Sequence, residues 1–292
     1  MRIGIFAGLA SPMATPDYIA ALARGAEERE FCELWVAEHV VLFDEHESAY
    51  PYDPSGRFPI GGDAGLLDPF PALGMLAALT ERIRIGTGIC LVPQRNPVYT
   101  AKEVATVDWL SGGRLDFGVG VGWLAEEFAA LDAPFEHRGT RTVEYLEVMK
   151  SLWCDEVSSY QGRFYTLPAC RQNPKPVQKP HPPIYFGGES DAALRRVARM
   201  GHGWFGFGLA PDAAAERIAT LEKALEAQGR ERSDVDIVIS PYLLSTTSDD
   251  VARYHAAGVD QLVVLGAARD AERVPAMLDQ LARDYLEPAK SL

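Results

Sequence analysis

The sequence predicts an α/β fold, a (β/α)8 barrel with loop insertions, on three observations. Strand-like apolar segments alternate with helix-period segments from end to end, and eight strands can be counted. Most of those strands are near-continuous apolar runs, as burial on both faces of a parallel sheet requires. The 292 residues, 47% of them hydrophobic, can bury one large core, so a single domain over residues 1–292 is expected. The competing architecture is an open doubly wound sheet. Against it, Gly118-Val119-Gly120-Val121-Gly122 lacks the G-x-G-x-x-G spacing of a dinucleotide turn and has no acidic strand end at the right distance.

The elements follow in order. Residues 2–7 read as the first strand, and Pro16–Arg29 as a helix with Thr15 as its cap and proline in its first turn. The second strand is 33–38. Residues 42–69, rich in Pro, Gly, Asp and Tyr, break the rhythm, and an insertion of that length in a barrel is usually functional or disordered. Helix 73–79, strand 83–91, helix 99–110 closed by Ser111-Gly112-Gly113, and strand 115–121 come next. Helices over 125–131 and 141–153 lead to a second insertion, which begins near 156 and carries six prolines between 158 and 183. Beyond it lie strand 184–186, helix 192–200, strand 204–207, helix 213–228, strand 236–239, helix 248–257, strand 261–265 and a final helix 271–285. Both insertions are expected to wall the substrate site.

The formal charge of -13 is spread along the chain without blocks of one sign, which argues against a nucleic-acid surface. Cys32, Cys90, Cys154 and Cys170 show no C-x-x-C spacing and suit a reducing cytosol, so a cytoplasmic protein is expected. The first six residues alternate like a strand and soon meet Pro12 and Pro16, so neither a signal peptide nor a membrane span is read there. The histidines share no metal-ligand spacing, and no metal is assigned.

Functional candidates gather where strands end, because the C-terminal face of such a barrel carries the chemistry. Leu34-Trp35-Val36-Ala37-Glu38-His39 is an apolar strand that stops in an acid and an imidazole, which makes His39 the first catalytic candidate. An isolated Glu-His pair more often just begins a polar loop. Gly86 and Gly88 interrupt a core strand, and Gly118, Gly120 and Gly122 interrupt the next; such glycines mark a bulge, a ligand or tight packing. Gly187-Gly188-Glu189-Ser190 opens a helix whose free N–H groups suit a phosphate, or Ser190 is only its cap. Gly206-Phe207-Gly208 makes a second small-residue approach. Trp35, Trp123, Trp204 and Phe207 either line a flat ring pocket or plug the barrel.

Three stretches resemble the luciferase-like flavin and deazaflavin oxidoreductases, especially the branch that uses coenzyme F420. They are Leu34–His39, the run from Lys102 through Ser111-Gly112-Gly113-Arg114 to Trp123, and Gly162-Arg163-Phe164-Tyr165 through Pro182 to Gly188. The resemblance covers nearly the whole chain to about residue 210. It implies an isoalloxazine-like ring in the barrel mouth, His39 beside the redox carbon as proton partner, and a non-prolyl cis peptide at Gly88-Ile89. It assigns the cofactor to Glu38, Gly88, Ile89, Gly122, Gly187, Gly188, Gly206 and Phe207, with the phosphate near Gly187, Gly188 and the Gly206-Phe207 segment, and it suggests a homodimer.

The implied activity is hydride transfer between F420 and a small organic substrate bearing an alkene, carbonyl or alcohol. An FMN-dependent monooxygenase of the same fold is the alternative, and a non-catalytic flavin-binding protein is the alternative from another class. Two departures stand out. Trp123 occupies the place of a catalytic glutamate in sugar-phosphate dehydrogenases of the family, and Glu126 and Glu127 nearby read as first-turn partners of a helix dipole. Glu30 replaces the glycine expected after the first helix.

Overall fold

In a computed structural model that describes residues 1–60 and 64–292, eight parallel staves close into a barrel. Residues 61–63, inside the first insertion, lie outside the described residues. The strands are β1 (Arg2–Ala7), β2 (Glu33–Val36), β3 (Arg84–Thr87), β4 (Cys90–Leu91), β5 (Leu115–Gly120), β6 (Ser158–Gln161), β7 (Thr166–Cys170), β8 (Ile184–Gly187), β9 (Gly203–Phe207), β10 (Asp236–Ser240) and β11 (Gln261–Gly266). The sheet runs β3-β2-β1-β11-β10-β9-β8-β5-β4, and pairing of β3 with β5 closes it. β3 and β4 together make one stave.

The helices are α1 (Pro16–Glu28), α2 (Pro69–Leu79), α3 (Pro97–Ser111), α4 (Ala125–Ala130), α5 (Arg138–Cys154), α6 (Asp191–Met200), α7 (Pro211–Glu226), α8 (Ser248–Ala256) and α9 (Val274–Leu281), the last continued by a π turn and a short α10 (Glu287–Ala289). Their starts show how local chemistry sets a boundary. Thr15, Asp68 and Asn96 each accept a main-chain N–H from the first turn that follows, and each stands before a proline at the first helical position. α2 and α3 therefore begin two to four residues earlier than their apolar periodicity alone indicates. Gly112, at φ 67°, ends α3, whereas Glu30 holds the left-handed conformation after α1 at φ 66° without being glycine.

Two cores result. One fills the space between staves and helices; the other plugs the barrel with Phe6, Trp35, Tyr185, Phe205, Val238 and Val263. Trp35 is a plug residue, and Trp204 faces the outer core with its indole N–H on Gly188 O at 3.0 Å. None of the described helices is long and apolar enough to cross a membrane.

The third strand departs from its predicted continuity. It breaks after Thr87 at a Gly88-Ile89 peptide that is cis, and resumes as β4. The glycines around it have a packing reason. A Cβ on Gly118 would lie 1.9 Å from Thr87 O, and one on Gly120 or Gly187 would lie 2.2 or 2.4 Å from Ile89 Cδ1. These glycines clear the space into which the broken stave turns.

The second insertion also differs from its irregular reading: β6 and β7 pair as an antiparallel hairpin. Its turn is held by Glu144 on α5, which accepts the N–H groups of Arg163, Phe164 and Tyr165 at 3.1, 2.6 and 2.7 Å. Because Thr87 O is main chain and cannot swing away, Gly118→Ala is expected to cost about 3 kcal/mol through overpacking. Denaturant unfolding of the two proteins measures it; equal midpoints would contradict this account.

Candidate active site

The C-terminal ends of the staves open into a cavity of about 640 Å³. Its floor includes Gly88, Ile89, Gly122, Gly187 and Gly188; Phe207 and Tyr242 flank it, and Tyr50, Tyr52, Phe58 and Ile60 of the first insertion wall it. No residue of the second insertion lines it, which corrects the expectation that both insertions do. That hairpin packs on α5 instead, and Gln172 ties its C-terminal side to Val98 O of α3 at 3.2 Å.

His39 lies three residues beyond β2, with 8% of its side chain exposed, and lines the cavity. Its Nδ1 is 3.0 Å from Glu127 Oε2, and its Nε2 is 3.3 Å from Trp123 Nε1. The two contacts fix the tautomer. Indole nitrogen can only donate, so Nε2 accepts, and the ring proton sits on Nδ1, where it donates to the Glu127 carboxylate. Glu127 is only 1% exposed, and its Oε1 also accepts Val40 N–H at 2.6 Å and Val41 N–H at 3.4 Å. The carboxylate thus fixes both the imidazole and the chain just beyond it.

The neighbouring acid does related work. Glu126 Oε1 accepts the N–H groups of Glu47 and Ser48 at 2.6 and 3.2 Å. Its burial acts to raise its pKa, but the hydrogen bonds from Ser48 and from these main-chain groups outweigh that and hold the carboxyl at about 2. Two consecutive first-turn acids on α4 therefore clamp the start of the first insertion.

Sequence reasoning missed this role for Glu127 because a first-turn acid is well explained by its own helix. The only signal was the doubled acid, which one helix N-terminus does not need. Tyr50 and Phe58 carried no signal, since the segment has no periodicity from which a facing can be read.

Of the residues assigned to the cofactor, Glu38, Gly88, Ile89, Gly122, Gly187, Gly188 and Phe207 line the cavity, and Gly206 does not. The space a Gly206 Cβ would take is closed by Ile239, Trp204 and Leu209. Glu38 lines the mouth, but its carboxylate is committed: Oε2 accepts Leu91 N–H at 2.6 Å and Oε1 accepts Arg95 Nε at 2.5 Å. Burial raises its pKa, with Arg95 and the Leu91 N–H opposing.

Ser190 caps α6, accepting Ala193 N–H at 3.2 Å. The Phe207 N–H is already taken by Glu189 Oε1 at 2.8 Å, and Gly208 N–H by Ser240 O at 2.8 Å. The Gly206-Phe207 flank therefore presents a carboxylate and no free N–H at residues 207 and 208.

Comparison with known proteins places this geometry. A family model described as luciferase-like monooxygenase matches residues 1–291, and the chain belongs to that family. It is 32% identical over 264 residues to the uncharacterized protein Rv0953c of Mycobacterium tuberculosis, covering 90% of this chain and 92% of that protein. It is 30% identical over 181 residues to an FMNH2-dependent dimethylsulfone monooxygenase of Pseudomonas putida, covering 61% of this chain and 49% of that protein. Its fold is shared, at TM-score 0.77 and 16% identity over 98% of both chains, with the coenzyme F420-dependent tetrahydromethanopterin reductase of Methanopyrus kandleri. One relative in sequence is thus named for FMNH2, and one protein that shares the fold is named for coenzyme F420.

Glu189 supplies a pH test of the rim. Burial lifts its carboxyl from the ordinary 4.5 to about 7, against the Phe207 N–H and the Tyr52 hydroxyl, whose Oη lies 3.1 Å from Oε2. A carboxyl that holds its proton more tightly when folded contributes stability that is full below pH 4.5 and is lost as pH rises through 7. Glu189→Gln is expected to flatten that decline, worth up to roughly 3 kcal/mol. Melting temperatures at pH 5 and pH 8 compare the two proteins; parallel curves would contradict the assignment.

Proposed function

We propose that the protein is an oxidoreductase that passes a hydride between coenzyme F420 and a small organic substrate, with His39 as proton partner. The observation that carries this reading is the Glu127–His39–Trp123 array at the cavity wall. The cavity fits the ring of the group: its volume lies in the range of small-molecule sites, and its lining is mostly apolar and aromatic. Gly88, Ile89, Gly122, Gly187 and Gly188 would hold it, and, when bound, it supplies the two-electron hydride donor or acceptor.

The chain's own part is proton handling and exclusion of water. With Nδ1–H on Glu127, the basic lone pair of His39 is on Nε2, the nitrogen now touched by the indole of Trp123. A substrate hydroxyl that displaces the indole N–H can give Nε2 its proton, and the imidazolium so formed is stabilised by the buried Glu127 carboxylate. In the reverse direction the same nitrogen returns the proton to a carbonyl oxygen. His39 is the one imidazole among the described lining residues.

The Pseudomonas putida relative supports a second reading, an FMN-dependent monooxygenase working in the same mouth. Parallel titration with F420 and FMN, read by tryptophan quenching, separates the two. F420 binding with no oxygen uptake is expected, and preferential FMN binding with oxygen consumption would replace the proposal.

His39→Ala is expected to lower kcat by about 10²- to 10⁴-fold with cofactor affinity nearly unchanged, whereas a merely flavin-binding protein shows no turnover to lose. In Glu127→Gln the Val40 and Val41 N–H groups hold the amide oxygen, which turns the NH2 toward Nδ1 and so disfavours the working tautomer. The variant is expected to lose a comparable factor and to alter the pH profile.

A homodimer is proposed with this reading. Supporting it, α2 carries no charged or hydrogen-bonding side chain yet exposes Pro71 and Ala78, and neighbouring α3 exposes Tyr99, Trp109 and Leu110. Sedimentation equilibrium is expected to give twice the mass of 31.9 kDa, and Trp109→Glu to shift it toward the monomer.

A further inference from the structure

Four aromatic rings meet where the first insertion crosses the cavity. Tyr50 and Phe58 lie edge to face with ring centroids 5.0 Å apart, Tyr50 and Trp123 are 5.1 Å apart, and the His39 imidazole is 5.0 Å from Phe58. All four line the cavity, so the proton-handling nitrogen sits inside an aromatic wall.

The charge at this wall is as telling. Among the described lining residues there is no lysine or arginine. Glu38 is the one carboxylate, and it is tied to Leu91 N–H and Arg95. Arg95 itself is spent on Glu38, Glu103 and Asp68. A substrate carboxylate or phosphate seated against Tyr50, Phe58 and Trp123 would lose its hydration and meet no cation, which is the costly case for a buried charge. A hydrocarbon body, by contrast, exchanges water for ring faces and edges.

We infer that the substrate is an uncharged, hydrocarbon-rich ring compound whose single polar group meets His39 while Tyr50, Phe58 and Trp123 grip its apolar body. Tyr50 and Phe58 are then specificity-determining residues. They come from the insertion, outside the floor assigned to the cofactor, so substrate choice and cofactor binding rest on different segments. The inference rests on the reading of His39 as the proton partner only for the orientation of the polar group.

The test uses a matched pair of probes, cyclohexanone and 4-oxocyclohexanecarboxylate, titrated by calorimetry into the full chain with and without saturating cofactor. The neutral ketone is expected to bind at least about tenfold more tightly, the factor that 1.4 kcal/mol corresponds to. Phe58→Leu and Tyr50→Leu, which keep apolar bulk but remove the rings, are expected to weaken the ketone about five- to tenfold and leave cofactor affinity unchanged. Thermal melting of each variant confirms that it folds.

Equal or tighter binding of the carboxylate, binding of neither probe, or ketone affinity untouched in both folded variants would overturn the inference. Failure of the hydride-transfer proposal is distinguishable, because it shows as absence of F420 binding or of turnover, while the cofactor-free titrations still report on the wall.

Discussion

The break in the third stave is the constraint on which the rest of the site depends. A barrel strand that ran straight from Arg84 to Leu91 would keep its N–H and C=O groups in the ladder and present no main chain to the mouth. Here the ladder stops at Thr87, whose hydroxyl turns to Gly118 O at 2.6 Å, and Gly88 N–H goes to Val36 O at 2.7 Å. Beyond the break Leu91 N–H is recovered by Glu38 at 2.6 Å. These three polar groups at the break each have a partner, which is what irregular main chain inside a core requires. The room for it is cleared by glycines on β5, the adjoining stave, and on β8, the stave beyond.

Glu38 and Glu127 are complementary consequences of that arrangement. They stand on either side of His39, one 53 residues from the N–H it accepts and the other 88 residues from the ring it orients. Glu38 fixes the end of β2 to the restarted stave. Glu127 fixes the residues just beyond to α4. His39 is therefore pinned through its own ring and through the chain on both sides, and the first insertion leaves the barrel along a defined path. Preorganisation of this kind is what lets an imidazole act without first being ordered by substrate.

Much of this was legible in the residues. Strand number, order and parallel burial follow from apolar runs alternating with helical periods, and the His39 position follows from where the second run stops. The cis step at Gly88-Ile89 came from resemblance, not from periodicity, which read the strand as continuous. What the sequence withheld were relations between distant segments. Nothing local distinguishes the Glu127 that orients His39 from the Glu126 that clamps Glu47 and Ser48. Gly187 reads as a ligand approach until Ile89 is seen to fill its missing side chain, and Gly206 reads as one until Ile239 and Leu209 are seen against it. The hairpin at 158–170 was hidden by surrounding prolines, which mark irregular chain although only Pro168 falls within a strand.

Buried charge alone does not mark the site, and the two ends of the barrel show why. At the N-terminal end Glu33 is 1% exposed, and burial, followed by the nearby Asp116, raises its pKa well above the ordinary value. Arg84 spans to Asp116 there, Nε to Oδ2, at 2.6 Å. None of these groups is among the described residues that line the main cavity, and the N-terminal face of such a barrel is the one associated with stability. At the other end His39 is set apart by position. It combines a fixed tautomer, a wall of aromatic rings and an opening to the space where a ligand fits. A functional reading follows from that coincidence of proton, surface and volume.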